Sequence, residues 1–162
     1  MQDYISKSIK ETAGIAHNFA NCLYGTREEA TLIGLYGELG SGKTTFMKFL
    51  AESFGIKETI QSPTFVIMKI YQTSPQPLSL SRRGATRSEG GEVFKHLIHI
   101  DAYRIEKEEE ILNLGWREII ADPKNLICIE WPERIVGIMP PHIQIYFEHL
   151  NNQNERKITI KK

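Results

Sequence analysis

Apolar residues recur along this chain in two rhythms. Between Ser8 and Tyr24 they fall at helical spacing: Ile9, Ala13, Ala16, Ala20 and then Leu23 or Tyr24 form one stripe, as in a helix with one buried face. Ser8 is followed three residues later by Glu11, a capping-box pattern that marks the helix start. Phe46, Phe49, Leu50 and Phe54 predict a second helix over Thr45–Phe54, with Gly55 as its C-cap. Lys107–Leu114 reads as a short helix ending at Gly115. Apolar and β-branched runs predict strands at Ala30–Tyr36, Thr64–Tyr71, Leu97–Ile100 and Leu126–Ile129. The last run is uninterrupted, as expected of a strand buried on both faces. Ile143–Phe147 and Lys157–Ile160 alternate instead and predict a hairpin closing one edge. The pattern predicts the α/β class, a three-layer sandwich whose sheet is mostly parallel with antiparallel edge strands.

One segment breaks the rhythm. Thr73–Gly91 is rich in Ser, Gly, Pro and Arg and separates two strands that would otherwise pair as a hairpin. A structureless loop of that length is uncommon in a compact domain. It is read as a flexible insertion at 73–91 in a single domain spanning 1–162. The other reading is an arm that contacts RNA or a partner, since Arg82, Arg83 and Arg87 stand against Glu89 alone.

Size and composition narrow the class. The chain has 162 residues, 41% hydrophobic and 25% charged, which suits one globular domain with a real core. No apolar stretch approaches the ~18 residues of a membrane span, and Met1–Thr12 has no apolar signal region. A cytoplasmic protein is expected. Cys22 and Cys128 both sit in apolar contexts and are expected to be reduced core thiols. Zero net charge argues against independent nucleic-acid binding over the whole surface.

The chemistry begins at Gly37–Thr44, GELGSGKT, which matches G-x-x-x-x-G-K-[ST] in full. Residue frequencies make such a match on the order of a one-in-two-hundred event in a chain this long. Gly37, Gly40 and Gly42 let the backbone curl so that consecutive amides face a polyphosphate. Lys43 reaches the β- and γ-phosphates, and the Thr44 hydroxyl can bind Mg²⁺. A strand before the loop and a helix after it supply the required context, and the helix N-terminus adds partial positive charge.

Such a loop needs a carboxylate at the end of a neighbouring strand. Asp101 follows LIHI and Glu130 follows LICI, each at the carboxyl edge where ligands of open α/β sheets bind. The unbroken run before Glu130 favours a central strand, so Glu130 is expected to face the metal and Asp101 to orient water or a metal ligand. Ser62–Thr64 precedes a strand, where a γ-phosphate-sensing loop or a plain turn would fit. His99 and Trp131 are expected to pack, His96 to be solvated, and Glu106–Glu110 to form a solvated helix face. Arg104, Arg134 and Arg156 are candidates for phosphate or partner contacts or for surface ion pairs.

Taken in order, GELGSGKTT (Gly37–Thr45), SPTF (Ser62–Phe65), HIDAYR (His99–Arg104) and IEWPER (Ile129–Arg134) resemble the TsaE family, small bacterial P-loop ATPases of tRNA threonylcarbamoyladenosine synthesis. LGWREII at Leu114–Ile120 is similar to a further family segment. The resemblance spans residues 8–160 apart from the insertion. It implies a P-loop NTPase-like fold, ATP and Mg²⁺ as cofactors, and slow intrinsic hydrolysis. It also implies action with the partners TsaD and TsaB on adenosine 37 of tRNAs reading ANN codons, the tRNA being reached through that complex. By the same resemblance Thr44 and Glu130 are Mg²⁺ ligands. Gly40, Ser41, Gly42, Lys43, Thr44 and Thr45 form the phosphate cradle, and Glu38 and Leu39 join them in binding the nucleotide. Lys43, Asp101 and Glu130 serve turnover, and Ser62–Thr64 acts as a switch-like loop. Ile9, Thr12 and Arg156 frame the base. The insertion departs from the family pattern beside that loop. Two other readings share the P-loop: a small kinase of a metabolite or nucleotide, and an ATP-gated binding module. No N-K-x-D sequence is present, so a guanine reader of the usual kind is missing.

Overall fold

The computed structural model describes residues 1–23, 27–60, 67–74, 94–150 and 155–162. In chain order the elements are β1 (Gln2–Ser6), α1 (Ile9–Asn21), β2 (Thr31–Tyr36), α2 (Lys43–Ser53), β3 (Met68–Gln72), β4 (His96–Asp101), α3 (Glu109–Leu112), α4 (Trp116–Ala121), β5 (Asn125–Glu130), β6 (Ile143–His149) and β7 (Arg156–Lys161), with single 3₁₀ turns at Pro132–Arg134 and Val136–Ile138. Ser62–Thr64 and positions 75–91 of the proposed insertion lie outside the described residues.

The seven strands form one sheet in the order β1-β7-β6-β2-β5-β4-β3. β6, β2, β5 and β4 run parallel through three pairings. The remaining three pairings, β1 to β7, β7 to β6 and β3 to β4, are antiparallel. The sheet is therefore mixed, not mostly parallel. The β6–β7 hairpin is present, but it does not close the edge. β6 pairs with β2, and β1 adds a further strand outside β7.

β5 is buried at all six positions and β2 at its four central ones, the pattern of strands covered on both faces. Alternate residues feed two hydrophobic clusters. Ile33, Leu35, Leu97, Leu126, Cys128, Ile145 and Phe147 join Phe19 of α1 and Phe46, Met47 and Leu50 of α2. Leu32, Ile98, Ile100, Ile127 and Ile129 join Ile111 of α3, Trp116 of α4 and Ile135. Phe46 anchors α2 between Phe19 and Phe147, with ring centroids 6.1 and 5.5 Å away. Truncating a buried Phe costs ~3–5 kcal/mol, so α2 is held rigidly under the loop that precedes it.

The helix starts follow local rules. The Ser8 side chain accepts from the Glu11 amide at 3.2 Å, and the Glu11 carboxylate accepts from the Lys7 amide at 2.8 Å. α2 begins at Lys43, two residues earlier than its apolar rhythm suggests, with Gly42 as N-cap at φ 106° and no side-chain cap. Cys128 is buried as expected, whereas Cys22 is exposed at the end of α1. The stripe there turns Phe19, Ala20 and Leu23 inward and leaves Cys22 facing out.

Candidate functional site

Parallel pairing brings the carboxyl ends of β2, β5 and β4 to one edge. Leu35 stands opposite Glu130, and Glu130 opposite Asp101. The segment from Gly37 to Gly42 leaves β2 at that edge and turns into α2. Gly37, Gly40 and Gly42 have φ of 138°, 76° and 106°, a region costly for residues with a Cβ. At Gly37 space forbids one as well: a Cβ would lie 2.4 Å from the Phe147 carbonyl oxygen. The loop is thus fixed by backbone conformation and by close packing on β6.

Lys43 is 4% exposed. Its ammonium donates to the Gly37 carbonyl at 2.6 Å and the Glu38 carbonyl at 3.0 Å, and sits 4.0 Å from the Trp131 ring centroid. Burial pulls its pKa below the ordinary lysine range, while Glu130, Glu133, Asp101 and Glu38 push it back up. Trp131 itself holds φ 59°, the one non-glycine residue with positive φ among those described. Such a conformation costs roughly 1–3 kcal/mol. It lets β5 turn sharply after Glu130, with the Trp131 amide donating to the Leu35 carbonyl at 3.3 Å.

Glu130, 3% exposed, accepts from the Thr44 hydroxyl, which lies 2.8 and 3.0 Å from its two oxygens. His99, fully buried on β4, approaches from the sheet with Nε2 3.1 Å from Glu130 Oε1. Its Nδ1 and the buried Ser41 hydroxyl have no hydrogen-bond partner among the described residues, and such groups cost about 1–3 kcal/mol each. Asp101 is half-buried beside them and accepts from the Tyr103 amide at 3.0 Å.

Arg156 begins β7 on the other flank of the loop. Its Nε donates to the Ser41 carbonyl at 3.1 Å, and its side chain lies over Gly42. Ser6, opposite Arg156 in the β1–β7 register, has its hydroxyl 2.7 Å from that of Thr12. Ser6 thus touches Thr12 through its side chain and pairs with Arg156 through the β1–β7 ladder, a link the sequence did not suggest. Ile9 is 70% exposed, and Glu38, Leu39 and Gly40 form the exposed tip of the loop.

Several expectations change. His96 is half-buried and bonds Asn125 at 3.1 Å. In the acidic run Glu108 accepts from the Gly137 amide at 2.6 Å, and Glu110 from the amides of Glu106 and Lys107 at 3.0 Å; the run is more than a solvated face. Arg104 and Arg134 are exposed. His99 packs, as expected, but also contacts a site carboxylate, which its place in an apolar strand run hid.

The residues fit a magnesium nucleotide on three structural grounds. The Lys43, Thr44 and Thr45 amides open a helix with no side-chain cap and have no intrahelical partner. A hydroxyl and a carboxylate, hard oxygen donors of the kind Mg²⁺ takes, already touch. A buried serine hydroxyl in the loop awaits a partner.

The sequence profile described as "Threonylcarbamoyl adenosine biosynthesis protein TsaE" matches residues 6–158. The chain is 36% identical over 157 residues to a tRNA threonylcarbamoyladenosine biosynthesis protein TsaE of Rickettsia typhi, covering 96% of this chain and 91% of that one. The Treponema pallidum protein of the same name is 28% identical, with 96% and 97% covered. The crystal structure of YdiB from Bacillus subtilis superposes with a TM-score of 0.69 and 26% identity over 98% of this chain and 83% of that one. With the profile spanning nearly the whole chain, it belongs to the TsaE family.

Proposed function

We propose that this chain is a Mg²⁺-dependent ATPase that serves threonylcarbamoyl modification of adenosine 37 in tRNA, working with TsaB and TsaD and built as a three-layer P-loop domain. The relatives' names support the pathway. The observation that carries the chemistry is the meeting of Lys43, Thr44 and Glu130 at one sheet edge.

In this reading the amides of Gly40–Thr45 and the Lys43 ammonium bind and orient the β- and γ-phosphates. Lys43 must first leave the Gly37 and Glu38 carbonyls, exchanging neutral acceptors for charged ones. Thr44 and Glu130 hold the cation. Mg²⁺ supplies charge neutralisation on the transferring phosphoryl group, the larger part of catalysis at such a site. Asp101, one position across from Glu130, orients the attacking water. Thr12 and Arg156 frame the base. An arginine supplied by a partner can be worth ~10³–10⁵ in rate at such a site, so in this reading intrinsic turnover is slow and a partner accelerates it.

Calorimetry with ADP and ATP, with Mg²⁺ or with chelator, tests this reading. Wild-type protein is expected to bind the magnesium complex, and Thr44→Ala and Glu130→Ala to lose Mg²⁺-dependent hydrolysis. ATP turnover with and without TsaB, TsaD and tRNA then tests the partner requirement. Absence of any magnesium-nucleotide association with the intact chain would overturn the proposal.

A further inference from the structure

The structure assigns His99 as the positioning residue that fixes the Glu130 carboxylate for metal binding; the assignment rests on the reading above, in which Glu130 faces Mg²⁺. Along β4 the pleat turns Leu97, His99 and Asp101 toward α2, and Ile98 and Ile100 toward the opposite cluster. Leu97, Ile98 and Ile100 on the strand and Cys128 opposite on β5 are buried, while Asp101 is half-buried and Lys69, opposite on β3, is exposed. An apolar side chain would fill this place without leaving a ring nitrogen unpartnered. The position holds a histidine, with Nδ1 unpartnered among the described residues and Nε2 on Glu130.

The register explains the contact. His99 lies opposite Cys128, two residues before Glu130 on the same face of the sheet, so the imidazole reaches diagonally up to the carboxylate. Glu130 is an acceptor, so the proton of that hydrogen bond sits on Nε2. Oε1 is thereby tied to β4, while the Thr44 hydroxyl of α2 straddles the carboxylate, 2.8 Å from Oε1 and 3.0 Å from Oε2. A carboxylate held from two elements cannot rotate freely, and outer partners of this kind set the orientation and basicity of a metal ligand.

The test uses the full chain and Mg²⁺ with ADP. His99→Gln keeps an N–H donor near the place of Nε2. His99→Leu keeps volume without a donor, and His99→Asn keeps an amide too short to reach. The readout is the Mg²⁺ concentration that half-saturates nucleotide binding, alongside ADP affinity in chelator and the thermal unfolding midpoint. His99→Leu and His99→Asn are expected to raise the Mg²⁺ requirement about 10–100-fold, with chelator affinity changed less than about threefold, and His99→Gln to restore most of it. Should the leucine variant not fold, the glutamine and asparagine variants decide by the same comparison. An unchanged Mg²⁺ requirement in a folded donorless variant overturns the assignment, as does equal loss with and without metal. A wild-type chain indifferent to Mg²⁺ overturns the ATPase reading itself, a result distinct from either.

Discussion

At the residue scale the site is a set of side chains held in place by neighbours that perform no chemistry. Tyr36, the last residue of β2, shows this beside the loop. Its hydroxyl lies 2.7 Å from His142 Nε2, and its ring stacks on Tyr146 at 4.7 Å. Burial first, then the nearby Tyr146 and Glu133, raise its pKa from 10.0 to about 12. Between those values the folded chain keeps a proton that the unfolded chain has released, so stability falls as pH rises across the window and is fully present below it. Tyrosinate absorbance should therefore show a late step near pH 12 that Tyr36→Phe abolishes, and wild-type stability should decline more steeply there than the variant's. A titration of Tyr36→Phe indistinguishable from wild type would count against the burial argument. The placement of loop residues such as Lys43 and Thr44 at the start of a helix after a strand was legible because short-range spacing sets it. The Lys43–Trp131 stack and the His99–Glu130 contact were not, because each joins side chains far apart in sequence that meet only through sheet register and the left-handed turn at Trp131.

At the element scale, what could be read tracked how local the cause was. α1 was legible from its stripe and cap, β5 from its unbroken apolar run. β1 was not: QDYIS carries little apolar patterning, and its Ile5 is half exposed. It is a strand because β7 offers it a ladder of five pairs, and its own sequence hardly announces that. α4, six residues long, is too short to show a period and is set by the left-handed Gly115 before it and by Trp116, whose indole donates to the Ile138 carbonyl at 3.2 Å. α3 is regular over four residues of the eight expected, as the chain turns at Asn113 and Leu114. The cap of α1 gives an element-level prediction. Ser8→Ala should remove the bond to the Glu11 amide and destabilise the protein by ~1 kcal/mol, read as a lower urea midpoint at unchanged slope. No shift in that midpoint would mean water satisfies the freed amide equally well.

At the scale of the whole molecule, the sheet joins two halves of the proposed site, one from the middle of the chain and one from its two ends. The phosphate side is built from β2, α2, β4 and β5 in its middle. The side proposed for the base is built from α1 and β7, and β1 is what couples them: it pairs with β7 along its length, and its Ser6, opposite Arg156 in the ladder, bonds Thr12. Tyr4 on β1 also packs on the main core. Deleting residues 1–6 should therefore do two separable things. It should lower the urea midpoint, since the edge of β7 and part of the core lose their cover. In the proposed reading, ADP uses both halves and inorganic tripolyphosphate only the loop, so the deletion should also weaken ADP more than tripolyphosphate. A tenfold selective loss for ADP corresponds to about 1.4 kcal/mol, a size that misplacing Thr12 and Arg156 together would produce. Competition binding of the two ligands to the truncated, still folded chain measures that ratio. If ADP and tripolyphosphate weaken equally, β1 is a stabilising edge strand and the base side is held by other residues. If only ADP weakens, a strand that carries no chemistry sets the nucleotide specificity of the site.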